Sequence, residues 1–406
     1  MKILVWGINY APEATGIAPQ NTALCEYLAR RGHEVRIVTA FPYYPEWRKR
    51  PEDRRVLFRT EITRGVTVHR CWHFVPRAVS TFKRAVHEGA FVLTSLLRVL
   101  SLPRCDVAIV ISPPLLLGWA AWLAGRLKRF PFVFHVQDLQ PGAAAALGLV
   151  KRGALLDCLR WLEKFSYRRA LAVGGISSGM IAHFIQLGVA PEKCVLFPNG
   201  LRMDDYRKPP DAGAFRRAHG IADADFLAVY AGNLGEKQGL DTLLEAAAMV
   251  KNPAIQIIIC GDGNQRSRLA RRLSDAKLAN VRMFGLLPFA EYRAMLDDAD
   301  VCVVPQKPGA GAAFFPSKLL PALACGKPVL AVTDAESALA AVVAEGRFGK
   351  SVAPGNPGAL AAALTDMAAH PEQGRQWGRA GREFVRQFDH EQVLRDFERK
   401  LCARLK

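Results

Sequence analysis

Short runs of β-branched and apolar residues alternate with helical patterns along the whole chain, beginning with KILVWG, a helical stretch from about Ile17 to Arg31, and EVRIVTA. Nearly continuous apolar strands of this kind belong to parallel sheets covered on both faces by helices, so the fold class is α/β. In the first half the pattern predicts strands near 2–7, 34–39, 66–71, 106–112, 131–136, 171–175 and 194–197. In the second half it predicts strands near 226–232, 255–260, 281–284, 300–304, 328–332 and 350–353.

Between the halves lies FPNGLRMDDYRKPPDAG, rich in Pro, Gly and charge, which reads as a linker. With 406 residues, the chain exceeds what one hydrophobic core usually organises. The expectation is two Rossmann-like, doubly wound domains facing each other across a cleft. The first spans 1–203, braced by a C-terminal helix at about 388–406, and the second spans 204–387. Ligands of such sheets bind at the carboxyl ends of the strands.

The Lys and Arg residues number 55 against 37 Asp and Glu, a formal net charge of +18 that favours anionic partners. No RRM, KH or helix-turn-helix signature accompanies the charge, which weighs against nucleic acid. The nine cysteines are scattered singly with no C-x-x-C pair, as expected of a reducing compartment. The N-terminus reads as a first strand rather than a signal peptide. No window is apolar enough for a spanning helix. Two apolar helices, 89–103 and 113–130, are either buried against the sheet or form a membrane-docking surface with Lys83, Arg84, Arg98, Arg126, Lys128 and Arg129.

The chemistry is expected in the turns that follow strands. The first strand runs into GINYAPEATGIA, residues 7–18, and then a helix, a setting that suits a bound anion near Gly16. The second half opens similarly with YAGNLGEKQGL, where Gly232 and Asn233 shape a loop from which Lys237 projects. Gly261 and Gly263 end the run IIICGDG, while Gly285 and Leu286 end MFGLLP; both turns suit a flat base. In AGAAFFPSKLLPALACGKPVLA, Ser317 is an expected N-cap and Lys318 falls in the first helical turn. A cation there opposes the helix dipole, and a bound anion between them resolves the conflict.

Taken in order, G-x-N-Y-x-P-E-x-x-G, F-H-V-Q-D-L-x-P at 134–141, P-N-G at 198–200, G-N-x-G-E-K-Q-G, G-D-G, F-G-x-L-P and P-S-K-L resemble the retaining glycosyltransferases of family four, which have the GT-B fold. Within that family the exopolysaccharide branch, typified by the colanic-acid fucosyltransferase, is the most similar. The resemblance covers nearly the whole chain. It implies a nucleotide-diphospho-sugar held mainly by the second domain, with Lys237 and Lys318 on the diphosphate and Gly16 approaching it. It also implies that His135 lies near the transferred sugar and that Asp138 orients hydroxyls. The chain departs from many relatives at Ala313 and Pro321, where spacing places a pair of glutamates, and at Asn233, where an arginine is common.

The resulting expectation is a metal-independent hexosyltransferase that needs no cofactor and uses a nucleotide sugar as donor, GDP-fucose being the first to test. Its partners would be a polyprenyl-diphosphate-linked or saccharide acceptor and an anionic membrane surface on the cytoplasmic side. The spacings Asp223–Asp225 and Asp298–Asp300 precede strands and read as turn or helix-end carboxylates, not metal ligands. The competing readings are a nucleotide-sugar epimerase of the same fold and a non-catalytic sugar-nucleotide-binding subunit.

Overall fold

The computed structural model describes residues 1–78, 80–139, 153–207, 211–309 and 318–405. Ser317, Ala313 and the end of the 134–141 motif lie outside them. The chain divides into two compact units, Met1–Gly200 with His390–Lys406, and Leu201–Asp389. These divisions fall close to the boundaries read at 203 and 387.

The first unit is built on β1 (Lys2–Trp6), β2 (Glu34–Ala40), β3 (Phe58–Thr63), β4 (Val66–Cys71), β5 (Val107–Ser112), β6 (Phe132–Val136), β7 (Ala172–Gly175) and β8 (Cys194–Leu196). The order is β3-β4-β2-β1-β5-β6-β7-β8, and every pairing is parallel except β3 on β4. Alternation along β1 sends Leu4 and Trp6 into one apolar layer and Ile3 and Val5 into the other, which is how a sheet buried on both faces uses its period of two. Strand β3 is absent from the sequence expectation. Its sequence, FRTEIT, carries charge and is half exposed, with only β4 beside it, so it lacks the apolar run that betrays the parallel strands.

Helices α1 (Ala18–Arg30), α2 (Thr81–Ser101) and α3 (Leu117–Lys128) cover this sheet. The Ser80 side chain caps α2 by accepting from Lys83 N. Its inward face carries Phe91, Val92 and Val99, yet Phe82, Val86, Leu93 and Leu97 are exposed. Their spacing of four, seven and four residues sets them on one side of the helix. Helix α3, by contrast, is mostly lining, with Leu117, Ala120, Ala121 and Ala124 buried. No helix of the described residues is long and apolar enough to cross a membrane.

The C-terminal helix His390–Leu405 belongs to the first unit. Val393, Leu394, Phe397 and Leu401 enter its apolar layer, Phe397 stacks on Phe197 at 4.0 Å, and Glu398 accepts from Tyr27 (2.8 Å), His33 (2.9 Å) and Arg31 (3.2 Å).

The second unit has six parallel strands, β9 (Phe226–Ala231), β10 (Ile255–Cys260), β11 (Val281–Phe284), β12 (Val301–Pro305), β13 (Val329–Val332) and β14 (Gly349–Val352), in the order β11-β10-β9-β12-β13-β14. Its central pair again alternates, with Leu227 and Val229 in one layer and Ala228 and Tyr230 in the other. The carboxyl ends of β9, β10, β11 and β12 therefore lie side by side.

Candidate functional site

Tyr230, the penultimate residue of β9, is fully buried, and its hydroxyl donates to the carbonyl of Asn233 at 2.6 Å. The chain consequently folds back on itself immediately after the strand. Lys318 reaches this hydroxyl from the far side of the sequence, with Nζ 2.9 Å away and 4.3 Å above the ring. Gly232 lies alongside: a Cβ there would stand 3.3 Å from Lys318 Cε. Burial and the charge of Lys237 together push the Lys318 ammonium down to about 7. Lys237 sits in the short turn Glu236–Gln238, and its carbonyl accepts from Lys307 N at 2.9 Å, joining the loop after β9 to the one after β12.

The β10 turn is packed against this loop. A Cβ on Gly261, whose φ is +142°, would meet the carbonyl oxygen of Gly232 at 1.9 Å, and one on Gly263 would meet that of Leu234 at 2.5 Å. Leu234 N donates to Asp262 O at 2.8 Å. Arg266 closes the group by donating to Gly261 O (2.8 Å) and Phe284 O (3.2 Å), and its guanidinium lies against Gly285. Leu286 follows, exposed.

Gly232, Asn233, Lys237, Gly261, Gly263, Gly285, Leu286 and Lys318 are thus gathered at one end of the second sheet. Two site residues, Tyr230 and Arg266, escape the sequence reading. A strand tyrosine looks like core, and Arg266 falls just beyond the G-D-G turn that draws attention. Lys318 occupies the residue before helix Leu319–Ala324, not its first turn.

In the first unit, Gly16 is exposed with φ +67°, and a Cβ there would stand 3.5 Å from the Tyr44 ring. The adjoining Glu13 is buried. Its carboxylate accepts from Tyr43 N and Tyr44 N, both at 2.9 Å, and from Asn9 Nδ2 at 2.8 Å. Burial still pushes its pKa up against those hydrogen bonds. Glu13 therefore pins the loop after β1 to the loop after β2, a duty that the P-E-x-x-G pattern conceals.

His135 is buried within β6, and burial pushes it down to about 3. Its Nε2 accepts from Gln137 Nε2 at 2.8 Å, Gln137 Oε1 accepts from Asn199 Nδ2 at 2.9 Å, and the imidazole lies 4.6 Å from Phe197. This neutral ring is joined through Gln137 to the P-N-G turn. Asp138 follows, half-buried, just past the strand end.

Three of the four paired aspartates have structural duties. Asp298 accepts from Gly213 N (2.7 Å), Phe215 N (2.8 Å) and Arg216 N (3.1 Å), capping helix Ala214–His219. Asp300 accepts from Leu227 N and Arg216 Nη2, each at 2.7 Å, and Asp225 accepts from Ala222 N at 3.3 Å.

Two family models match in series, a glycosyl transferase 4-like domain over residues 15–200 and glycosyl transferases group 1 over residues 211–384. Over 406 residues the chain is 33% identical to WcaI of Escherichia coli, named as a colanic acid biosynthesis glycosyl transferase, with 98% of each chain covered. The chain belongs to the GT-B glycosyltransferases of family four. As a glycosyltransferase of this fold it superimposes on sucrose-phosphate synthase from Thermosynechococcus elongatus with a TM-score of 0.77, at 22% identity over 99% of both chains. HepE from Anabaena, solved in complex with UDP-glucose, gives a TM-score of 0.73 at 17% identity over 99% of this chain and 100% of its own. At such identities the two solved structures speak for the fold of this glycosyltransferase, and its own loops must speak for the chemistry.

Proposed function

We propose that this glycosyltransferase works in exopolysaccharide synthesis, moving a hexose with retention from a nucleotide-diphospho-sugar to a polyprenyl-diphosphate-linked or saccharide acceptor. One observation carries the reading: Lys318 stands against Gly232 in the loop that also carries Lys237, and the Lys318 ammonium is depressed by burial and by that cationic neighbour. Such a site gains from an anion. A diphosphate supplies one, and as the sugar departs the growing charge on the β-phosphate meets donors already in place. Two lysines thereby do the work of a metal ion. The similarity to WcaI supports the exopolysaccharide role, and the UDP-glucose held by HepE supports the donor class.

In this reading Asp138 orients hydroxyls of the acceptor. Burial pushes His135 down to about 3, so it binds a proton too weakly to act as a base and at a sugar serves as a hydrogen-bonding group.

The acceptor's anchor remains in a bilayer, and the enzyme goes to it as a peripheral protein of the cytoplasmic face. The outward row Phe82, Val86, Leu93 and Leu97 of α2 supports this, with Lys83 exposed on the same helix and Arg126 and Arg129 exposed at the end of α3. Lys128 is occupied, its Nζ donating to Leu100 O at 2.9 Å, and Arg98 donates to Thr60 at 2.6 Å.

A thermal-shift screen with UDP, GDP, UDP-glucose and GDP-fucose, followed by turnover of the stabilising donor without acceptor, tests the function. Stabilisation by a nucleotide sugar and slow release of the sugar with its anomeric configuration retained support it. Stabilisation with neither hydrolysis nor transfer identifies a binding subunit instead, and no stabilisation by any of the four removes the donor site.

A further inference from the structure

The Tyr230 hydroxyl has one proton and gives it to the Asn233 carbonyl at 2.6 Å. What it offers Lys318, 2.9 Å away, is a lone pair. Lys318 must then be the donor, and an ammonium donates more strongly than an amine. The ring below Nζ, at 4.3 Å, also favours the charged form. Against these act burial and the repulsion of Lys237. Tyr230 itself is fully buried, and burial raises its own pKa far beyond neutrality, so its hydroxyl keeps its proton and goes on donating to the Asn233 carbonyl.

We propose that Tyr230 is a positioning residue for the donor diphosphate: its hydroxyl and ring hold Lys318 as an ammonium beside Gly232, ready to meet the phosphate oxygens. This rests on the diphosphate clamp proposed above and adds to it. Lys318 is the contact, and Tyr230 decides where its nitrogen stands and how readily it carries a proton. A strand residue that looks like core thereby sets the charge of the site.

A consequence follows for proton traffic. Burial and Lys237 hold Lys318 at about 7 in the free protein, and a bound diphosphate raises that value, so binding above neutral pH takes up a proton. Affinity is then highest below about pH 7 and falls as the pH rises beyond it. Removing the hydroxyl makes the cation harder to keep, which moves the start of the decline to lower pH.

The experiment compares the full-length wild type with Tyr230→Phe, Lys318→Ala and the double variant, each confirmed folded by circular dichroism. Calorimetry with UDP and GDP from pH 6 to 9 gives affinity, and repetition in buffers of different ionisation enthalpy gives proton uptake. The terminal phosphate's own titration is common to all four proteins and cancels in the comparison. We expect Tyr230→Phe to weaken binding about tenfold at pH 7.5 and to displace the pH profile by about one unit. In the Lys318→Ala background the same change has no further effect, because Tyr230 acts through Lys318. A Tyr230→Phe protein with wild-type affinity and pH profile, or an equal loss in the Lys318→Ala background, overturns the proposal and returns Tyr230 to loop packing. If Lys318→Ala itself binds UDP and GDP as the wild type does, the clamp fails and the proposal with it.

Discussion

A side chain on Gly261 would place its Cβ 1.9 Å from the carbonyl oxygen of Gly232, so the β9 and β10 turns touch backbone to backbone. With φ at +142°, Gly261 is also held where L side chains are strained. Gly261→Ala should therefore push the Gly232 loop away from Lys318. We expect a stability loss of about 2 kcal/mol or more and nucleotide affinity reduced by more than about tenfold, read by denaturant melts and calorimetry. Gly358→Ala, whose nearest neighbour would be 3.6 Å away, is the control and should cost nothing. Equal behaviour of the two variants contradicts the close-packed turn.

Acid should weaken the first unit before the second. Burial pushes His69 and His87 down to about 4 and His135 to about 3, and holds His73 well below its ordinary value; the Arg98 charge adds to the effect at His69 and Lys49 to that at His73. Each folded value lies below the unfolded one near 6.5. The unfolded chain thus gains protons first, and the stability is complete above about pH 6.5 and is lost as the pH falls towards 4. At pH 5.5 the loss is about 1 kcal/mol per buried histidine. Glu13 and Glu163, buried carboxyls pushed upward, offset part of it at lower pH. Hydrogen exchange at pH 7.5 and 5.5, corrected for intrinsic rates, should show protection falling in β1–β8 more than in β9–β14. An equal fall in both sheets contradicts the assignment.

The parallel framework was legible because strands such as IQIIIC and VAIVIS are apolar on both faces, and burial on both faces is what a parallel sheet requires. Strand β3 was not, since its alternating polar residues look like a loop until β4 is known to lie beside it. The glycine turns and Lys237 were legible from their place after strands, and Lys318 from its place at the start of a helix. The partners that tune them were not: Tyr230 meets Lys318 across 88 residues of sequence, and no local pattern encodes that contact. His135 is a similar case. The resemblance implies that it lies near the transferred sugar, but nothing in the motif announces that its Nε2 accepts from the same-face neighbour Gln137.

The exposed row on α2 predicts a specific membrane behaviour. The wild type should sediment with anionic vesicles at low salt and largely lose them at high salt, because screening shortens the attraction. Leu93→Ser together with Leu97→Ser, both already exposed, should leave stability unchanged and reduce vesicle binding several-fold, about 1–2 kcal/mol by the apolar area lost. Wild-type sedimentation by the double variant removes α2 from the contact. Equal binding to neutral vesicles removes the electrostatic part.

In the proposed function two lysines, not a metal ion, hold the donor diphosphate. The test is calorimetric titration of UDP and GDP in excess EDTA, into the wild type and into Lys237→Ala and Lys318→Ala. The wild type should bind one of the two nucleotides undiminished by EDTA, and each substitution should weaken binding by about tenfold to a few hundredfold, as loss of a partly desolvated charge contact does. Binding that vanishes in EDTA and returns with magnesium or manganese, or two variants with the wild-type affinity, would contradict it.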